Sequence, residues 1–224
     1  KGDILIDPQT GLPQYDKSNH VLGNASWDWT GGLLTNFTYK NVSLVAVFDV
    51  KVGADLYSMS ARAAHESGKS PETLAGRDAW YRSEEERLAA GIAKGADNWK
   101  PTGGFVAPGV IDNGDGTYRP NDIYINPEDY WMSVCRNAPS MFIYDNSYVK
   151  CRELTLSYNV PKSWLKNVIS GLTVSFVARN PFIVWKNIPN IDPDSNYNNT
   201  TGMGLEYGSL PSRRSYGFNV NVKF

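Results

Sequence analysis

Five stretches of the chain alternate between apolar and polar residues, one position at a time. The last ten residues do so without an error, because a small or polar residue separates each apolar or aromatic residue from the next, as far as Phe224. A period of two is typical of β-strands with one apolar and one polar face. The other stretches with this pattern are residues 33–39, 42–53, 152–159 and 172–179. The pattern therefore predicts an all-β protein.

The connections between these strands are of two kinds. A turn at Lys40 and Asn41 joins the first two strands, and residues 160–170 join the third and fourth, whereas residues 59–146 and 187–212 are long connections. In an antiparallel up-and-down meander, successive connections fall at opposite ends of the sheet. The short connections therefore share one end and the long ones the other, as in transmembrane β-barrels of outer membranes.

This interpretation divides the chain into the loops and strands of an antiparallel, up-and-down transmembrane β-barrel. The long loop is expected to be partly helical, over residues 59–67 and 83–91, with Ser83 and Glu86 forming a capping box. The predicted segments are an extracellular loop at 1–28, a hairpin at 29–58, a long extracellular loop at 59–146, a hairpin at 147–186, an extracellular loop at 187–212 and a C-terminal strand at 213–224.

Aromatic residues near the strand ends favour the barrel, because barrels place rings at both membrane interfaces. Trp29 and Tyr39 bracket the first strand, and Tyr148 and Tyr158 the third, each pair ten residues apart. At about 3.3 Å per residue and a tilt of about 40°, this separation climbs about 25 Å, the height of the apolar band of an outer membrane.

Two charges run against this pattern. Lys150 and Arg152 are in phase with Leu154 and Leu156, so strict alternation predicts that they lie on the apolar face. Near the extracellular end an exposed cation there costs about 0–1 kcal/mol, against about 2–4 kcal/mol at the midplane. A soluble β-sandwich, whose apolar face packs on a second sheet, explains the same periodicity. A secreted or surface β-sandwich that binds glycans is therefore the alternative.

Composition excludes several classes of function. Hydrophobic residues make up 41% of the 224 residues and charged residues 20%, which excludes a disordered tail. The formal net charge of −1 predicts no nucleic-acid partner. No apolar run reaches the roughly 18 residues of a transmembrane helix. The first residues have neither the basic nor the apolar region of a signal peptide, so none is expected in them.

No residue pattern indicates catalysis, a metal site or a cofactor. His20 and His65 lie outside any metal-ligand motif. Residues 112–117 are expected to form a tight turn rather than a calcium loop, because Asn-Gly and Asp-Gly suit positive φ. Cys135 and Cys151 are too few for a disulfide framework, and whether they pair stays open.

Several strings of residues in family order resemble the C-terminal part of the SusC/RagA-like TonB-dependent outer-membrane transporters of Bacteroidetes. Two residues depart from the family's pattern: Trp27 stands where the family usually has proline, and Cys151, where it has an aliphatic residue, leaves open a thiol facing the lumen. The strings are LGNA (22–25), DWTGG (28–32), YVK (148–150), RELTLSY (152–158), VPKSWL (160–165), ARN (178–180), NIDPD (190–194) and LPSRRSYGF (210–218).

The resemblance implies a barrel of about 22 strands, of which this chain supplies the last five or so. It implies that the plug domain lies outside this segment and that the protein resides in the outer membrane of a Gram-negative bacterium. The implied function is energy-dependent import of oligosaccharides or peptides. The implied partners are the remainder of the barrel and plug, a SusD-like lipoprotein, TonB acting through the plug, the barrel-assembly machinery and outer-membrane lipid.

Two groups of residues are candidate functional sites. The C-terminal strand resembles the signal that the assembly machinery reads by strand addition, and its candidates are Tyr216, Phe218, Val220, Val222 and Phe224. In the long loops, aromatic rings and carboxylates suit contact with substrate or a lid protein, and the candidates are Trp80, Tyr81, Asp192, Asp194 and Tyr197. Carboxylates that flank a proline, as Asp192 and Asp194 do, are more often part of a solvated turn.

Overall fold

The computed structural model describes residues 2–165, 169–195 and 202–224. The chain forms two compact units. One unit, here called the loop unit, comprises Lys1–Leu22 and Met59–Phe142. The other, here called the sheet unit, comprises Gly23–Ser58 and Ile143–Phe224. Each unit therefore joins two segments that are distant in sequence.

The helices and strands are numbered here in chain order. The α-helices are α1 (Met59–Glu66), α2 (Arg77–Ala89) and α3 (Pro127–Asn137), and short 3-10 helices span Pro71–Leu74, Pro139–Phe142 and Lys162–Trp164. The strands are β1 (Trp29–Tyr39), β2 (Val42–Val52), β3 (Asp55–Ser58), β4 (Phe105–Val106), β5 (Val110–Asp112), β6 (Tyr118–Pro120), β7 (Tyr124–Ile125), β8 (Ile143–Asp145), β9 (Tyr148–Asn159), β10 (Gly171–Lys186), β11 (Leu205–Glu206) and β12 (Ser215–Lys223).

The sheet unit is built on a five-stranded antiparallel sheet in the order β1-β2-β9-β10-β12. Each of the five alternating stretches forms one of these strands, so the predicted strands are present. The fourth is longer than predicted, because β10 continues through Pro181 to Lys186. A smaller sheet of β11, β3 and β8 belongs to the same unit.

One face of the five-stranded sheet is apolar from edge to edge. The register aligns Phe37 with Leu44, Leu44 with Leu156, Leu156 with Phe176 and Phe176 with Phe218. Side chains at aligned positions share a face, so these five form one apolar row across the sheet. Phe37 is 67% exposed and Phe218 79% exposed. A β-sandwich would bury this row under a second sheet, so its exposure contradicts the alternative interpretation.

The opposite face of the sheet is polar in the same part of the strands. Thr38, Ser43, Ser157, Ser175 and Asn219 occupy aligned positions along a neighbouring row. Their hydroxyl groups bond across the strands, with 3.0 Å between the oxygens of Thr38 and Ser43 and 2.8 Å between those of Ser157 and Ser175. The sheet therefore presents hydroxyl groups on one side and exposed apolar side chains on the other.

A β-bulge interrupts the alternation of β9. Glu153 pairs with Val47, but Cys151 pairs with the next residue of β2, Phe48, so Arg152 is an extra residue in β9. A bulge of this kind shifts the phase of the strand by one position. Cys151 therefore shares the apolar face with Phe48. Its thiol does not point to the polar face, so the possibility of a lumen-facing thiol, left open by the sequence, is not realised.

The bulge corrects the predicted positions of three polar residues. Lys150 pairs with Asp49, and Tyr148 with Lys51, on the polar face of the sheet. Arg152 also reaches that face, where its side chain donates hydrogen bonds to the Asp49 carboxylate. The expectation that Lys150 and Arg152 lie among the apolar residues is therefore wrong. Tyr148, which is fully buried, does not belong to an exposed aromatic belt.

The loop unit buries its apolar side chains in a core of its own. Ile6, Ile111, Val134 and Phe142 are each at most 2% exposed. Ile6 comes from the segment before β1, and its backbone N–H donates to the carbonyl of Val110 at 2.8 Å. The N-terminal segment is therefore part of the same fold as the long connection between β3 and β8.

Two helices were predicted in this connection, and the structure contains both, with one corrected start. α1 begins at Met59 as predicted, but α2 begins at Arg77, six residues before the predicted start. Ser83 is therefore inside the helix, and the predicted capping box is wrong. Instead, the Ser83 hydroxyl accepts a hydrogen bond from the backbone N–H of Thr102 at 3.0 Å, and Glu86 accepts one from the Thr102 hydroxyl at 2.5 Å.

A third helix, α3, was not predicted. Asn126 caps its N-terminus by accepting a hydrogen bond from the backbone N–H of Glu128 at 3.0 Å, and Pro127 is its first residue. An Asx N-cap, proline at the first helical position and acidic residues in the first turn are all start signals. Within the described ranges, no helix is both long and apolar enough to cross a membrane.

The predicted tight turn at residues 112–117 is confirmed. It joins β5 to β6, and both Gly114 and Gly116 have positive φ, 80° and 87°. Asp112 accepts a hydrogen bond from the N–H of Gly114 at 2.7 Å, and Asp115 accepts one from the N–H of Thr117 at 2.9 Å. These carboxylates therefore stabilise the turn itself.

Candidate functional site

The predicted assembly residues lie on the apolar face of the edge strand β12. The Tyr216 and Phe218 rings lie 6.1 Å and 5.5 Å from the ring of Phe176 on the neighbouring strand. Among the described strands β12 pairs only with β10, so its outer edge presents backbone groups to which another strand can add. The exposed fractions are 62% for Tyr216, 79% for Phe218, 60% for Val220, 41% for Val222 and 95% for Phe224.

A cluster of buried charges lies on the polar face, next to the bulge in β9. The Lys150 ammonium lies 3.1 Å from Oδ1 of Asp192 and 2.6 Å from Oδ2 of Asp194, and it also donates to the Ser212 hydroxyl. Lys150 is only 1% exposed. A buried cation is tolerated only when it is paired and hydrogen-bonded, and here two carboxylates and a hydroxyl surround it.

Arg152 extends this cluster to a second strand. Its guanidinium donates to Asp49 on β2, with 3.1 Å from Nε to Oδ2, and to Asp194, with 2.9 Å from Nη2 to Oδ1. The Tyr148 hydroxyl donates to the same Asp194 oxygen at 3.0 Å. Asp194 therefore accepts from three side chains of β9, and the segment after β10 is fastened to the polar face of the sheet.

The environment holds both carboxylates of this segment in the ionised form. Burial alone would raise the pKa of Asp194, but hydrogen bonds from Arg152 and Lys150 and their positive charges outweigh it and lower the pKa well below its usual range. Asp192 has a lowered pKa for a similar reason, because hydrogen bonds from Ser212 and the charge of Lys150 outweigh its burial. Both carboxylates are therefore bound by side chains of the same chain.

The other two described loop candidates, Trp80 and Tyr81, lie together on α2 and line a cleft of the loop unit. The cleft has a volume of about 270 Å³. Tyr81 is 65% exposed, whereas Trp80 is half-buried. Tyr197 lies outside the described residues. The cleft is also lined by residues of α1 (His65, Glu66), of the segment before α2 (Ser67, Gly68, Thr73), of α2 (Arg77) and of the start of α3 (Asn126, Pro127, Glu128, Trp131).

Arg77 is held in a fixed orientation in the wall of this cleft. Its Nε donates to the carbonyl of Thr73 at 2.7 Å, and its Nη2 donates to the carbonyl of Gly68 at 2.8 Å and to the Thr73 hydroxyl at 2.6 Å. On the α1 side, the His65 ring packs 4.9 Å from the Trp131 ring and 5.4 Å from the Phe142 ring. The cleft therefore has a rigid wall made of aromatic rings and one guanidinium.

Residues 2–165, 169–195 and 202–224 contain no group of three or more His, Cys, Asp or Glu side chains that could hold a metal ion. Cys135 and Cys151 are both buried and free, so the pairing left open by the sequence does not occur. Burial raises the pKa of the Cys135 thiol, which makes it a poor nucleophile at neutral pH.

Sequence reasoning missed the residues that engage Asp192 and Asp194. Strict alternation predicts Lys150 and Arg152 only as tolerated charges on the apolar face, and it gives no signal for Ser212. The sequence does contain a signal for this cluster. A strand has two cations two residues apart, and a loop has two carboxylates two residues apart, so the two pairs are complementary in charge and spacing. Strict alternation hid this complementarity by assigning the cations to the wrong face.

Together these features define the class of protein. An antiparallel sheet that exposes one continuous apolar face and turns hydroxyl groups and charges to the other is a segment of a membrane-spanning β-barrel. Part of the chain is similar to TonB-dependent receptor P3 of Formosa agariphila, with 33% identity over 95 residues. The match covers 40% of this chain and 10% of the relative. No protein-family model matches the chain.

Solved structures give the same fold over the whole chain. The RagAB peptide transporter matches with a TM-score of 0.58 at 20% identity, and the RagAB peptide importer in its closed-closed state with 0.57 at 18% identity. Each match covers 100% of this chain and 22% of the other. The chain therefore has the fold of part of a RagA-like barrel, as the resemblance to SusC/RagA-like transporters implies. These relatives are receptors and transporters rather than enzymes.

Proposed function

We propose that this chain forms part of the wall and the extracellular loops of a TonB-energised nutrient importer in the outer membrane of a Gram-negative bacterium. The observation that carries the proposal is the apolar row across all five strands of the sheet, exposed on one side and backed by hydroxyl groups on the other. The apolar face is stable against lipid acyl chains, and the polar face is stable against a hydrated lumen.

The chain spans 10% of the curated relative and 22% of the RagAB chains, so the rest of the importer would be supplied by residues outside this segment. We propose that the two outer edges of the sheet, on β1 and β12, pair with further strands of the same barrel, because unpaired backbone groups are costly in lipid. A plug domain inside that barrel would transmit the force of TonB.

The proposed substrate is an oligosaccharide, delivered with the help of a SusD-like surface lipoprotein. Peptides are the second candidate, because the solved relatives are described as a peptide importer. Uptake of labelled oligosaccharides and peptides by cells with and without the full-length protein, and with and without TonB, tests both. The proposal fails if the protein fractionates away from the outer membrane, or if uptake of both labels is unchanged when the protein is removed.

We propose in addition that the C-terminal strand is the assembly signal. Phe224 is 95% exposed at the end of an edge strand, which suits recognition by strand addition. Deleting Phe224 from the full-length protein should sharply lower its amount in the outer membrane. The matched control is Phe224→Tyr, which keeps the aromatic ring and should preserve the amount. Equal amounts of the deletion variant and the wild type would remove the assembly role.

A further inference from the structure

The cleft between α1, α2 and α3 of the loop unit presents aromatic rings beside polar groups of both signs. Trp80 and Tyr81 contribute the accessible rings, Arg77 a guanidinium, and Glu66 and Glu128 carboxylates. One guanidinium stands against two carboxylates, so the cleft has a slight excess of negative charge and does not favour an anionic ligand. Rings next to paired donors and acceptors suit a ligand with an apolar surface and several hydroxyl groups.

The donors and acceptors of the cleft are fixed before any ligand enters. Three hydrogen bonds from Nε and Nη2 orient the Arg77 guanidinium, which leaves its Nη1 without a partner in the described part of the chain. Asn126 accepts from the backbone of Glu128 through its oxygen, so its amide nitrogen is left to donate. Within the same ranges, the exposed carboxylate of Glu128 makes no ion pair. A hydroxyl group, which both donates and accepts, complements such a set.

The shape of the cleft argues against a peptide. Two common ways to bind a peptide are to add an extended peptide to a strand edge and to hold a helical peptide in a long apolar groove. The lining residues belong to helices and their connecting turns, so none of them offers a strand edge. A volume of about 270 Å³ is also at the small end of ligand pockets. The site therefore suits one compact ring rather than a length of polypeptide.

We propose that this cleft is a binding site for one sugar ring of a neutral oligosaccharide, with Trp80 or Tyr81 stacking on the ring and Arg77, Asn126 and Glu128 bonding to its hydroxyl groups. The inference deepens the proposed function, because it names a place in the loops where the substrate is held. The cleft belongs to the loop unit alone and shares no residue with the charge cluster around Lys150.

The test measures binding of neutral tri- to hexasaccharides to the purified full-length protein by titration calorimetry, with uncharged pentapeptides as the competing ligand class. Glu128→Gln and Trp80→Ala should each weaken sugar binding at least tenfold, because each removes one of the proposed contacts. The control variants are Glu85→Gln, on an exposed part of α2 outside the cleft, and Trp164→Ala, a 69% exposed indole in the short turn after β9. Both controls should bind sugars like the wild type.

Three results would overturn the inference: no sugar binding by the wild type, sugar binding that is equally strong in the cleft variants, or peptide binding that depends on the same residues. Glu128 is exposed, so its variant keeps the fold and the test stays decisive if Trp80→Ala is unstable. Outer-membrane location and TonB-dependent uptake are measured on the same variants. If these persist while the cleft binds no sugar, only this inference fails, and if they are absent from the wild type, the proposed importer fails.

Discussion

The two units of the chain place their apolar side chains in opposite ways. In the loop unit, Ile6 and Phe142 are at most 1% exposed. In the sheet unit, Phe37 and Phe218 are 67% and 79% exposed, although they lie in well-formed strands. The loop unit makes its own apolar interior, whereas the sheet needs an apolar environment from outside. Such a difference is expected between residues that fold against water and residues that fold against lipid.

The two units also differ in how their buried charged residues are paired. The most buried cation among the described residues of the sheet unit, Lys150, lies on the polar face and is surrounded by carboxylates. In the loop unit, the buried Arg87 has its carboxylate partner within the same helix, at Glu84, 2.9 Å away. The charge cluster in the sheet unit instead connects β2, β9 and the segment after β10. Burial of charge is therefore local in one unit and joins distant segments in the other.

The largest effect is expected from Lys150→Met. The substitution removes the cation that Asp192 and Asp194 share, so Asp192 loses its ammonium partner and Asp194 keeps only the cation of Arg152. Breaking a buried ion pair in this way costs about 3–5 kcal/mol. Denaturant unfolding of the full-length protein measures it. Arg179→Met is the control, because the pair of Arg179 with Glu153 is exposed at 3.6 Å and such pairs contribute about 0–1 kcal/mol. Equal losses in the two variants would contradict a structural role for the cluster.

The loop unit should be most sensitive at its buried N-terminal segment. Ile6→Ala removes a fully buried side chain and should lower the stability of this unit by about 2–5 kcal/mol through the cavity it leaves. Ile4→Ala, two residues away, truncates a side chain that is 50% exposed and should change stability by about 0.5 kcal/mol or less. Resistance to limited proteolysis during denaturant titration reports on both. Similar midpoints would show that the N-terminal segment is not part of the core.

The two faces of β12 give the sharpest test of the lipid interpretation. Val220→Arg places a cation on the apolar face and should destabilise the barrel by about 2–4 kcal/mol if the residue lies near the midplane. Asn221→Arg, one residue further on, points the same side chain to the polar face and should have little effect. Folding of the full-length protein into lipid vesicles measures the difference. Identical folding of the two variants would contradict the assignment of Val220 to a lipid-facing side and of Asn221 to the polar side.

The smallest effect is expected at the start of α3. Asn126→Ala removes the cap on the N-H of Glu128 and should cost about 1 kcal/mol. Asn98→Ala, at an exposed position outside the regular elements, is the control and should be neutral. Thermal unfolding followed by protease sensitivity of the loop unit compares them. If the loop unit melts at the same temperature in both, the cap contributes nothing to its stability.

The five strands of the large sheet could be predicted because their signal is local. Alternation in residues 42–53, for example, gives both the strand and its apolar face within a dozen positions. The bulge at Arg152 could not be predicted in this way, because the period of two continues through it without a mark in the sequence. Its consequence was large: one extra residue moved Lys150 from the apolar face to the polar one.

The loop unit was less accessible to sequence reasoning. The start signals of α3 were present at Asn126 and Pro127 and were overlooked, whereas the start of α2 at Arg77 follows a segment with no side-chain cap. The pairing of Ile6 with Val110 spans the whole hairpin of β1 and β2, and no local pattern reports a contact over such a distance. Sequence therefore predicted Trp80 and Tyr81 as candidates but not the cleft that contains them.

Because the N-terminal segment packs in the loop unit, part of this unit can form only late in folding. Ile6 cannot find Val110 until more than a hundred further residues have been made, and contacts between residues so far apart in sequence form slowly. During that interval Ile6 stays without its hydrogen-bonding partner, exposed to chaperones and proteases. We expect the direction of synthesis, from the N-terminus to the C-terminus, to affect the folding of this segment far more than that of the hairpin of β9 and β10. The two strands of that hairpin are neighbours in sequence and can pair as soon as both have been made.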